Sequence, residues 1–309
     1  MSRPRTSENT PMGSRKALVL LTVLFVVLFG GLSAWVIWCM SREAAKEADA
    51  SPAAPVAGST YTAADARTLL LITEDEGQAQ GFVLVRFDPA ATHLRTLALP
   101  RETVTDRSDI SAKRLFELYQ TKKGAGMTAY VETLTGFPVD FYAVVTYDGL
   151  EDLLNQAQTG LSFTLPENLR YDMGTYTIHI DGGEQLLSAT QVTDVLRYPA
   201  WNGGRLQRSA IQAQIISACI NQYFTPDIMR EDSGYDACVA VADTNLLREP
   251  YYACREAFLY MTSKNNGDIC QSLSVNGTFT GTGEDVRFYL EEDIRPALRS
   301  VFGATAGDG

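Results

Sequence analysis

Three arginines lie close together in the segment VLRYPAWNGGRLQRSAIQAQ, which contains no acidic residue: Arg197, Arg205 and Arg208. Arg205 and Arg208 are three positions apart and would face the same side of a helix, with Gln212 one turn further along. Positive charge in the first turn of a helix is unfavourable with the helix dipole, so this placement favours a bound anion. The pattern predicts an anion-binding site, and the alternative is a solvated first helical turn.

A second group of charged residues comes after the apolar stretch of LALPRETVTD, which contains Arg101 and Glu102. Further along the chain, Lys113 lies at the start of a helical pattern. Sites are commonly built at strand ends, although these charges alone are also typical of a solvated loop and of helix ion pairs. The chain has only two histidines, His93 and His179, which argues against a Ser–His–Asp triad. It has no P-loop, G-x-S-x-G or H-E-x-x-H motif. The chemistry is limited to what arginines and carboxylates can perform.

The composition is that of an acidic, folded protein. The chain has 309 residues, of which 45% are hydrophobic, and a formal net charge of −11. It is long enough to bury a sizeable core. The acidic balance argues against general nucleic-acid binding, which needs a broad basic face. The composition fits a domain that binds anions at one focused place.

An uncharged apolar segment, residues 17–40, has the length of a transmembrane helix, which needs about 20 apolar residues. A cleaved signal peptide is the competing interpretation, but its apolar region is usually only about 7–15 residues long. Arg15 and Lys16 directly precede the segment, so the positive-inside rule places residues 1–16 in the cytoplasm. The sequence predicts a single-pass protein of the cell membrane with an extracellular C-terminal domain.

Residues 41–65, rich in Ala, Ser, Pro and charge, are predicted to be an extracellular linker. Mixed strand and helix patterns over residues 66–303 predict a single α/β domain, with a mixed sheet flanked by helices, and residues 304–309 form a tail. The predicted strands are 68–73, 81–88, 93–100, 139–147, 268–275 and 284–290, with two shorter ones at 161–166 and 175–181. The predicted helices are 111–123, 126–136, 148–157, 184–198, 205–224, 251–263 and 291–303.

Four of the five cysteines lie in the last third of the chain: Cys219, Cys238, Cys254 and Cys270. In an exported domain, four cysteines indicate two disulfides, with three possible connectivities. A zinc site is the weaker alternative, because there is no C-x-x-C pair and neither histidine is near them in sequence.

The order of several motifs is similar to that of the LytR-CpsA-Psr family of cell-wall transferases. The motifs are LPRET, AKRLFELY, LTGFPVDFYAVVTYDGLEDLLN, DGGEQLLSATQVTDVLRY, GGRLQRSAIQAQII and GTGEDVRFYLEEDIRPAL. The resemblance implies an α/β domain that binds a polyprenyl pyrophosphate, with the lipid in a hydrophobic tunnel and the pyrophosphate held by arginines and Mg²⁺. A peptidoglycan hydroxyl would attack one phosphorus, and a glycopolymer would become linked to the wall by a phosphodiester.

Roles for individual residues follow from the matched motifs. The resemblance assigns pyrophosphate binding to Arg101, Lys113, Arg197, Arg205, Arg208 and Gln212. It assigns catalysis to Arg101, Glu102 and Arg205, and a metal-ligand position to Glu74. Guanidinium groups suit these roles because they bind phosphate oxygens bidentately and stabilise the charge that develops in phosphoryl transfer.

The chain also departs from the family pattern. Gln80 stands where the family has the second Asp of its acidic loop, Asn202 replaces an Asp, and Pro199 an Arg. Glu102 is one methylene longer than the family's Asp. Because Mg²⁺ usually binds one or two carboxylates plus phosphates, the loss at position 80 predicts a weakened metal site. Glu74, Asp75 or Glu76 could still supply one carboxylate.

These departures leave three functions open. The first is a transferase that moves a polyprenyl-pyrophosphate-linked glycopolymer onto peptidoglycan. The second is a non-catalytic scaffold or regulator that binds polyprenyl pyrophosphate or wall polymer. The third is an anchored extracellular domain with structural interactions alone. Magnesium-dependent turnover would distinguish the first from the second, and a lack of polyprenyl phosphate binding would exclude both.

Overall fold

The computed structural model of the chain describes residues 61–106, 108, 109, 111–265, 267–291, 294, 296, 298 and 302. No helix within these residues is long and apolar enough to cross a bilayer. The predicted span at 17–40 and most of the predicted linker lie outside the described residues. The described residues all belong to the compact unit Thr60–Gly309.

The longest apolar stretches form a meander of three antiparallel strands. In β1 (Arg67–Asp75), buried residues largely alternate with partly exposed ones, as expected for a strand whose two faces differ. β2 (Gln78–Asp88) is buried along most of its length, because it lies between two other strands and both of its faces are covered. β3 (His93–Leu99) pairs antiparallel with β2 and ends directly before Pro100 and Arg101.

Three further strands extend the meander. β4 (Phe141–Thr146) is parallel to β1, β10 (Cys270–Leu273) is parallel to β3, and β9 (Ala242–Thr244) is antiparallel to β4. The result is a mixed six-stranded sheet with the order β10-β3-β2-β1-β4-β9. Parallel neighbours need a crossover connection, which a helix supplies between β1 and β4. The predicted mixed-sheet α/β fold is therefore confirmed for the described residues.

One face of the sheet is covered by α1 (Leu115–Thr135), which packs buried residues such as Leu115, Met127 and Val131 against the strands. Each fully buried side chain of this kind contributes about 1.5–3 kcal/mol. The predicted helices 111–123 and 126–136 form this one element, with a break at Lys123, where φ is 51°. Gly124 follows the break and approaches the sheet so closely that a Cβ there would lie 2.6 Å from the Tyr142 ring.

The opposite face is covered by two long helices, α4 (Gly204–Tyr223) and α7 (Arg248–Lys264). Between them the chain forms two short helices, α5 (Pro226–Arg230) and α6 (Ser233–Val241). Asn221 of α4 binds the edge strand β10 twice. Its Nδ2 donates to the Cys270 oxygen, its Oδ1 accepts from the Cys270 nitrogen, and each distance is 2.9 Å.

A separate apolar cluster, called the cluster beyond β4, is formed mostly by elements that follow β4 in the chain. It joins α4 to the helices α2 (Tyr147–Gln156) and α3 (Ala189–Arg197) and to two pairs of antiparallel strands. The first pair is β5 (Leu161–Leu165) with β8 (Gly183–Leu187), and the second is the hairpin of β6 (Leu169–Asp172) and β7 (Thr177–Ile180). The predicted helix at 184–198 was wrong in its first part. The helix begins only at Ala189, because the Ser188 side chain caps it by accepting from the Gln191 nitrogen, and the preceding residues pair with β5.

The C-terminal part contributes the hairpin of β11 (Gly277–Thr280) and β12 (Arg287–Leu290), whose buried residues belong to the same apolar cluster as those of α1. In the predicted helix 291–303, four described residues are helical: Ile294, Pro296, Leu298 and Phe302. Phe302 meets Phe137 edge to face, with ring centroids 5.5 Å apart.

The two predicted disulfides are not present, because all four cysteines are free thiols. Cys219 packs against the cluster beyond β4, and Cys270 lies in the core beneath α4 and α7. Cys238 is on α6 near Tyr251, whereas Cys254 is on α7 near Arg67 and Asp140.

Candidate functional site

The amide of Gln80, at the start of β2, brings two arginines from distant parts of the chain together. Arg101, just after β3, donates from Nη1 to Gln80 Oε1 at 2.6 Å. Arg208, in the first turns of α4, donates from Nη2 to the same oxygen at 3.2 Å. The backbone oxygen of Gln80 accepts from Gln212 Nε2 at 3.0 Å, which fixes α4 against β2. Gln80 thus connects the two predicted arginine motifs through hydrogen bonds to both.

Gly81 makes this close contact possible. A Cβ at Gly81 would lie 2.8 Å from both Gln212 Oε1 and Thr73 Oγ1. The absence of a side chain at Gly81 therefore leaves room for the Gln212 side chain beside the strand.

Glu102 holds the third arginine of the group. Its side chain is almost fully buried, since the residue is only 4% exposed, and it accepts from Arg205 Nη1 at 2.5 Å. Arg101 Nε lies 3.9 Å from the same carboxylate. Arg205 is half exposed and also donates from Nη2 to the Gly283 oxygen at 3.3 Å. The buried carboxylate therefore positions two arginines, one of which faces solvent.

Arg197, the last residue of α3, occupies a neighbouring position. Its Nε and Nη2 donate to the two Oδ atoms of Asp75 at 3.1 and 3.0 Å. Its guanidinium also lies over the Tyr147 ring, 5.0 Å from the centroid, and 3.7 Å from Asp148. The hydrogen bonds to Asp75 raise the pKa of Arg197, so it stays charged. In contrast to Arg208, this guanidinium is already paired bidentately with a carboxylate.

The arginine cluster, defined as Arg101, Arg205 and Arg208, carries more positive charge than Glu102 can balance. Burial lowers the pKa of Arg101, and the nearby positive charges of Arg208 and Arg205 lower it further, while Glu102 opposes them. Arg208 Nε is buried and has no acceptor among the described residues. A bound anion would reduce the mutual repulsion of these groups.

The start of α4 adds backbone donors to the arginine cluster. The helix begins at Gly204, whose N–H donates to the Trp201 oxygen at 2.8 Å, and the Gly203 N–H donates to Gln207 Oε1 at 2.5 Å. The N–H groups that follow in the first turn can bind an anion together with the helix dipole. Arg205, the second residue of the helix, reaches the same region.

Lys113 does not join these residues. Its side chain is exposed, and within the described part of the chain it has no recorded hydrogen bond or ion pair, while its backbone oxygen accepts from Thr105. Its neighbour Arg114 lies closer to the cluster. Arg114 and Arg101 both lie over the Phe116 ring, at 4.6 and 4.7 Å from the centroid.

The carboxylates near the arginines do not converge on one point. Glu74 accepts a hydrogen bond from the Tyr119 hydroxyl, Asp75 is paired with Arg197, and Glu102 is paired with Arg205. The described residues contain no group of three or more His, Cys, Asp or Glu side chains that could hold a metal ion. A magnesium ion would need phosphate oxygens and waters for most of its ligands. Coordination by Glu74 stays a prediction.

The contacts of several site residues were not predicted from the sequence. Asp75 and Tyr147 both contact Arg197, and Phe116 packs under Arg101. Asp75 was a possible magnesium ligand in ITEDEG rather than an expected partner of an arginine. Nothing in the sequence distinguished Tyr147 and Phe116 from ordinary core or loop positions.

Comparison with known proteins identifies the family. The sequence model of the LytR_cpsA_psr family matches residues 44–293. The chain belongs to the LytR_cpsA_psr family. The family resemblance inferred from the motif order is confirmed. The matched residues contain the six-stranded mixed sheet described above.

The similar proteins include the polyisoprenyl-teichoic acid–peptidoglycan teichoic acid transferase TagV of Bacillus subtilis. Its sequence is 23% identical over 232 residues, which cover 71% of this chain and 56% of that protein. The chain thus spans little more than half the length of this relative. The crystal structure of B. subtilis TagV is similar with a TM-score of 0.61 and 21% identity, over 76% of this chain and 96% of that one.

Two other solved structures share the fold. A protein from Eubacterium siraeum DSM 15702 has a TM-score of 0.70 at 16% identity, with 81% of this chain and 96% of that chain covered. TagT bound to LI-WTA has a TM-score of 0.62 at 15% identity, with 81% and 94% covered. At these identities the likeness shows the fold alone.

Proposed function

We propose that this chain is a phosphotransferase that binds a polyprenyl-pyrophosphate-linked glycopolymer and attaches the glycopolymer to peptidoglycan. The observation that carries the proposal is the arginine cluster, which gathers around one amide and one carboxylate and retains excess positive charge. Membership of the LytR_cpsA_psr family and the similarity to TagV support this reaction class.

The arginines suit the pyrophosphate because guanidinium groups remain charged and match the geometry of phosphate oxygens. A peptidoglycan hydroxyl oxygen would form a bond to the phosphorus that carries the glycopolymer. The bond from that phosphorus to the bridging oxygen would break, and polyprenyl phosphate would leave. Arg101, Arg205 and Arg208 would stabilise the negative charge that develops on the phosphoryl oxygens.

The hydroxyl proton requires a base, and Glu102 is our candidate. Its carboxylate is bound to Arg205, whose other side faces solvent. When phosphate oxygens take over the hydrogen bonds of Arg205, Glu102 becomes able to accept the proton. The Glu102 carboxylate would then be restored by release of that proton to water.

A magnesium ion would supply further charge neutralisation at the pyrophosphate. Glu74 and Asp75 are the carboxylates of this chain that could contribute to its binding, and each is already engaged by another residue.

The membrane location is part of the proposal. With residues 17–40 as a span and the domain outside the cell, the arginine cluster would be on the side of the membrane where peptidoglycan lies.

A second function is favoured by the pairing of the carboxylates. Asp75 and Glu102 are both bound to arginines, and Gln80 stands in place of an acidic residue. This arrangement suits a scaffold or regulator that binds polyprenyl pyrophosphate or wall polymer without turning it over.

One experiment distinguishes the two. The full chain in detergent micelles is incubated with a lipid-pyrophosphate-linked glycan, purified peptidoglycan and Mg²⁺, and both donor binding and transfer are measured. For a transferase, we expect Arg205→Ala to lower transfer at least about a hundredfold, as is common when a transition-state donor is removed. Arg230→Ala is the matched control, since Arg230 is an exposed, ion-paired arginine on α5. Donor binding without transfer in the unmodified chain would establish the scaffold, and absence of donor binding would refute both functions.

A further inference from the structure

The tip of the β6–β7 hairpin exposes three large apolar side chains on an ordered turn. Tyr171 and Tyr176 are each 40% exposed, and Met173 lies between them. The turn is held by a hydrogen bond from the Met173 nitrogen to the Tyr176 oxygen at 2.9 Å. Gly174, with φ at 87°, donates to Asp172 Oδ1 at 2.8 Å. Aromatic rings fixed at a turn present a defined surface to a ligand.

Tyr171 rests on buried aromatic residues that follow Arg197 in the chain. Its ring meets Tyr198 edge to face, at 6.2 Å and 83°, and Tyr198 meets Trp201 in the same way at 5.1 Å. Tyr198 and Trp201 are both buried. An edge-to-face contact covers at most one face of the Tyr171 ring, so the exposed part of Tyr171 is held in place while a ring face stays accessible.

Tyr176 links the hairpin to the phosphate-binding region. Its side chain interacts with those of Asp194 and Arg197, which lie on the last turns of α3. Arg197 is in turn bound to Asp75 and lies over Tyr147. The aromatic surface and the arginines are therefore continuous through one residue, Arg197.

We propose that Tyr171 and Tyr176 form a platform for a sugar ring, namely the sugar that is joined directly to the pyrophosphate of the lipid-linked donor. This inference rests on the proposed binding of that donor. A sugar attached to a phosphate held near Arg197 must lie within a few ångströms of it, which is where Tyr176 stands.

The chemistry of the surface fits a sugar better than a lipid chain. The C–H groups on one face of a pyranose ring pack on the negative face of an aromatic ring, while the hydroxyls at its edge need polar partners. The platform provides both, because Asp172 lies at the turn beside Tyr171 and the Asp194 side chain interacts with Tyr176. An acyl or prenyl chain would leave these charged groups desolvated without partners.

The test compares two probes on the full chain in detergent micelles. They are geranylgeranyl pyrophosphate and its conjugate with one N-acetylhexosamine, measured by isothermal titration calorimetry. We expect Tyr171→Ala to weaken binding of the conjugate about three- to tenfold, the range of an aromatic ring contact, and binding of the bare lipid less than twofold. Tyr171→Phe, which keeps the ring, should restore the affinity. Phe224→Ala is the control, because Phe224 is an aromatic residue with 37% exposure at the far end of α4.

Each other outcome overturns the inference in a recognisable way. Equal affinity of the unmodified chain for both probes would show that no sugar contact exists, while leaving pyrophosphate binding intact. Equal losses for both probes in Tyr171→Ala would show that Tyr171 supports the fold or the phosphate. An unchanged donor affinity with a raised KM for peptidoglycan would assign the platform to the acceptor instead. No binding of either probe by the unmodified chain would refute the proposed function together with this inference.

Discussion

At the scale of single residues, the side chain at position 80 decides what the site can hold. An amide oxygen can accept from Arg101 and Arg208 without cancelling their charge, whereas a carboxylate at the same place would neutralise part of it. The substitution relative to the family pattern therefore favours direct anion binding by arginine over binding through a metal ion.

Replacing Gln80 by Glu tests this conclusion. Without metal, the new carboxylate competes with the ligand for both guanidinium groups, so we expect the affinity for inorganic pyrophosphate to fall about tenfold. With millimolar Mg²⁺ the carboxylate supplies a metal ligand, and the affinity should recover more than in the unmodified chain. Calorimetry with Mg²⁺ and with EDTA measures both effects.

Gln156→Glu is the control for this experiment, because it adds the same charge at the exposed last residue of α2. An equal response to Mg²⁺ in Gln80→Glu and in the unmodified chain would contradict the role of position 80.

The sequence predicted which arginines could share a site, and the structure brings Arg101, Arg205 and Arg208 together. It could not predict their partners. Asp75 and Glu102 were both visible as acidic residues, but their pairing with Arg197 and Arg205 depends on contacts between residues more than a hundred positions apart. Motif order fixes the identity of such residues, whereas their pairing is a property of the folded chain.

At the scale of secondary structure, the errors of prediction fall where local pattern and tertiary context disagree. The central strands have strong apolar patterns and were located correctly. Residues 184–187 resemble a helix in composition, yet they pair antiparallel with β5. The prediction of two helices over residues 111–136 is confirmed by the break at Lys123, although the first helix begins only at Leu115. The break lies where Gly124 approaches Tyr142 of β4.

The close approach at Gly124 predicts a loss of stability in Gly124→Ala. A Cβ would lie 2.6 Å from the Tyr142 ring and 2.7 Å from Val144, and overpacking of this kind costs about 1–3 kcal/mol. The gain from replacing glycine in a helix is smaller, about 0.5–1 kcal/mol. We expect a net decrease in the free energy of unfolding, measured by urea denaturation.

Gly267→Ala provides the comparison, because a Cβ at Gly267 would meet no atom within 4 Å. Its free energy of unfolding should change by less than about 0.5 kcal/mol. A Gly124→Ala variant as stable as Gly267→Ala would show that the helix can move away from the sheet at no cost.

At the scale of the whole molecule, the described domain holds together through apolar packing rather than through covalent links. Three apolar clusters, two on the faces of the sheet and the cluster beyond β4, contain most of its buried apolar side chains. The number of cysteines alone suggested disulfides, but the four cysteines of the described residues are free thiols.

Thiol titration tests the absence of disulfides. Burial raises the pKa of Cys219 to about 12 and that of Cys270 to about 11. A raised pKa keeps a thiol protonated, and the thiolate is the reactive form, so below about pH 9 these two cysteines should react very slowly with a disulfide reagent in the native protein. In denaturant without reductant, all five cysteines of the chain should react. Release of only one equivalent under those conditions would mean that two disulfides had formed.

The contact of Asn221 with β10 has a consequence for how the molecule behaves among its copies. An edge strand has unpaired amide and carbonyl groups that can pair with a strand of another molecule, so that the sheet extends across molecules. Here the N–H of Cys270 donates to Asn221, and its C=O accepts from both Asn221 and Ser217 of α4. Strand addition from another molecule at Cys270 would first have to displace these side chains, so α4 protects this part of the sheet edge.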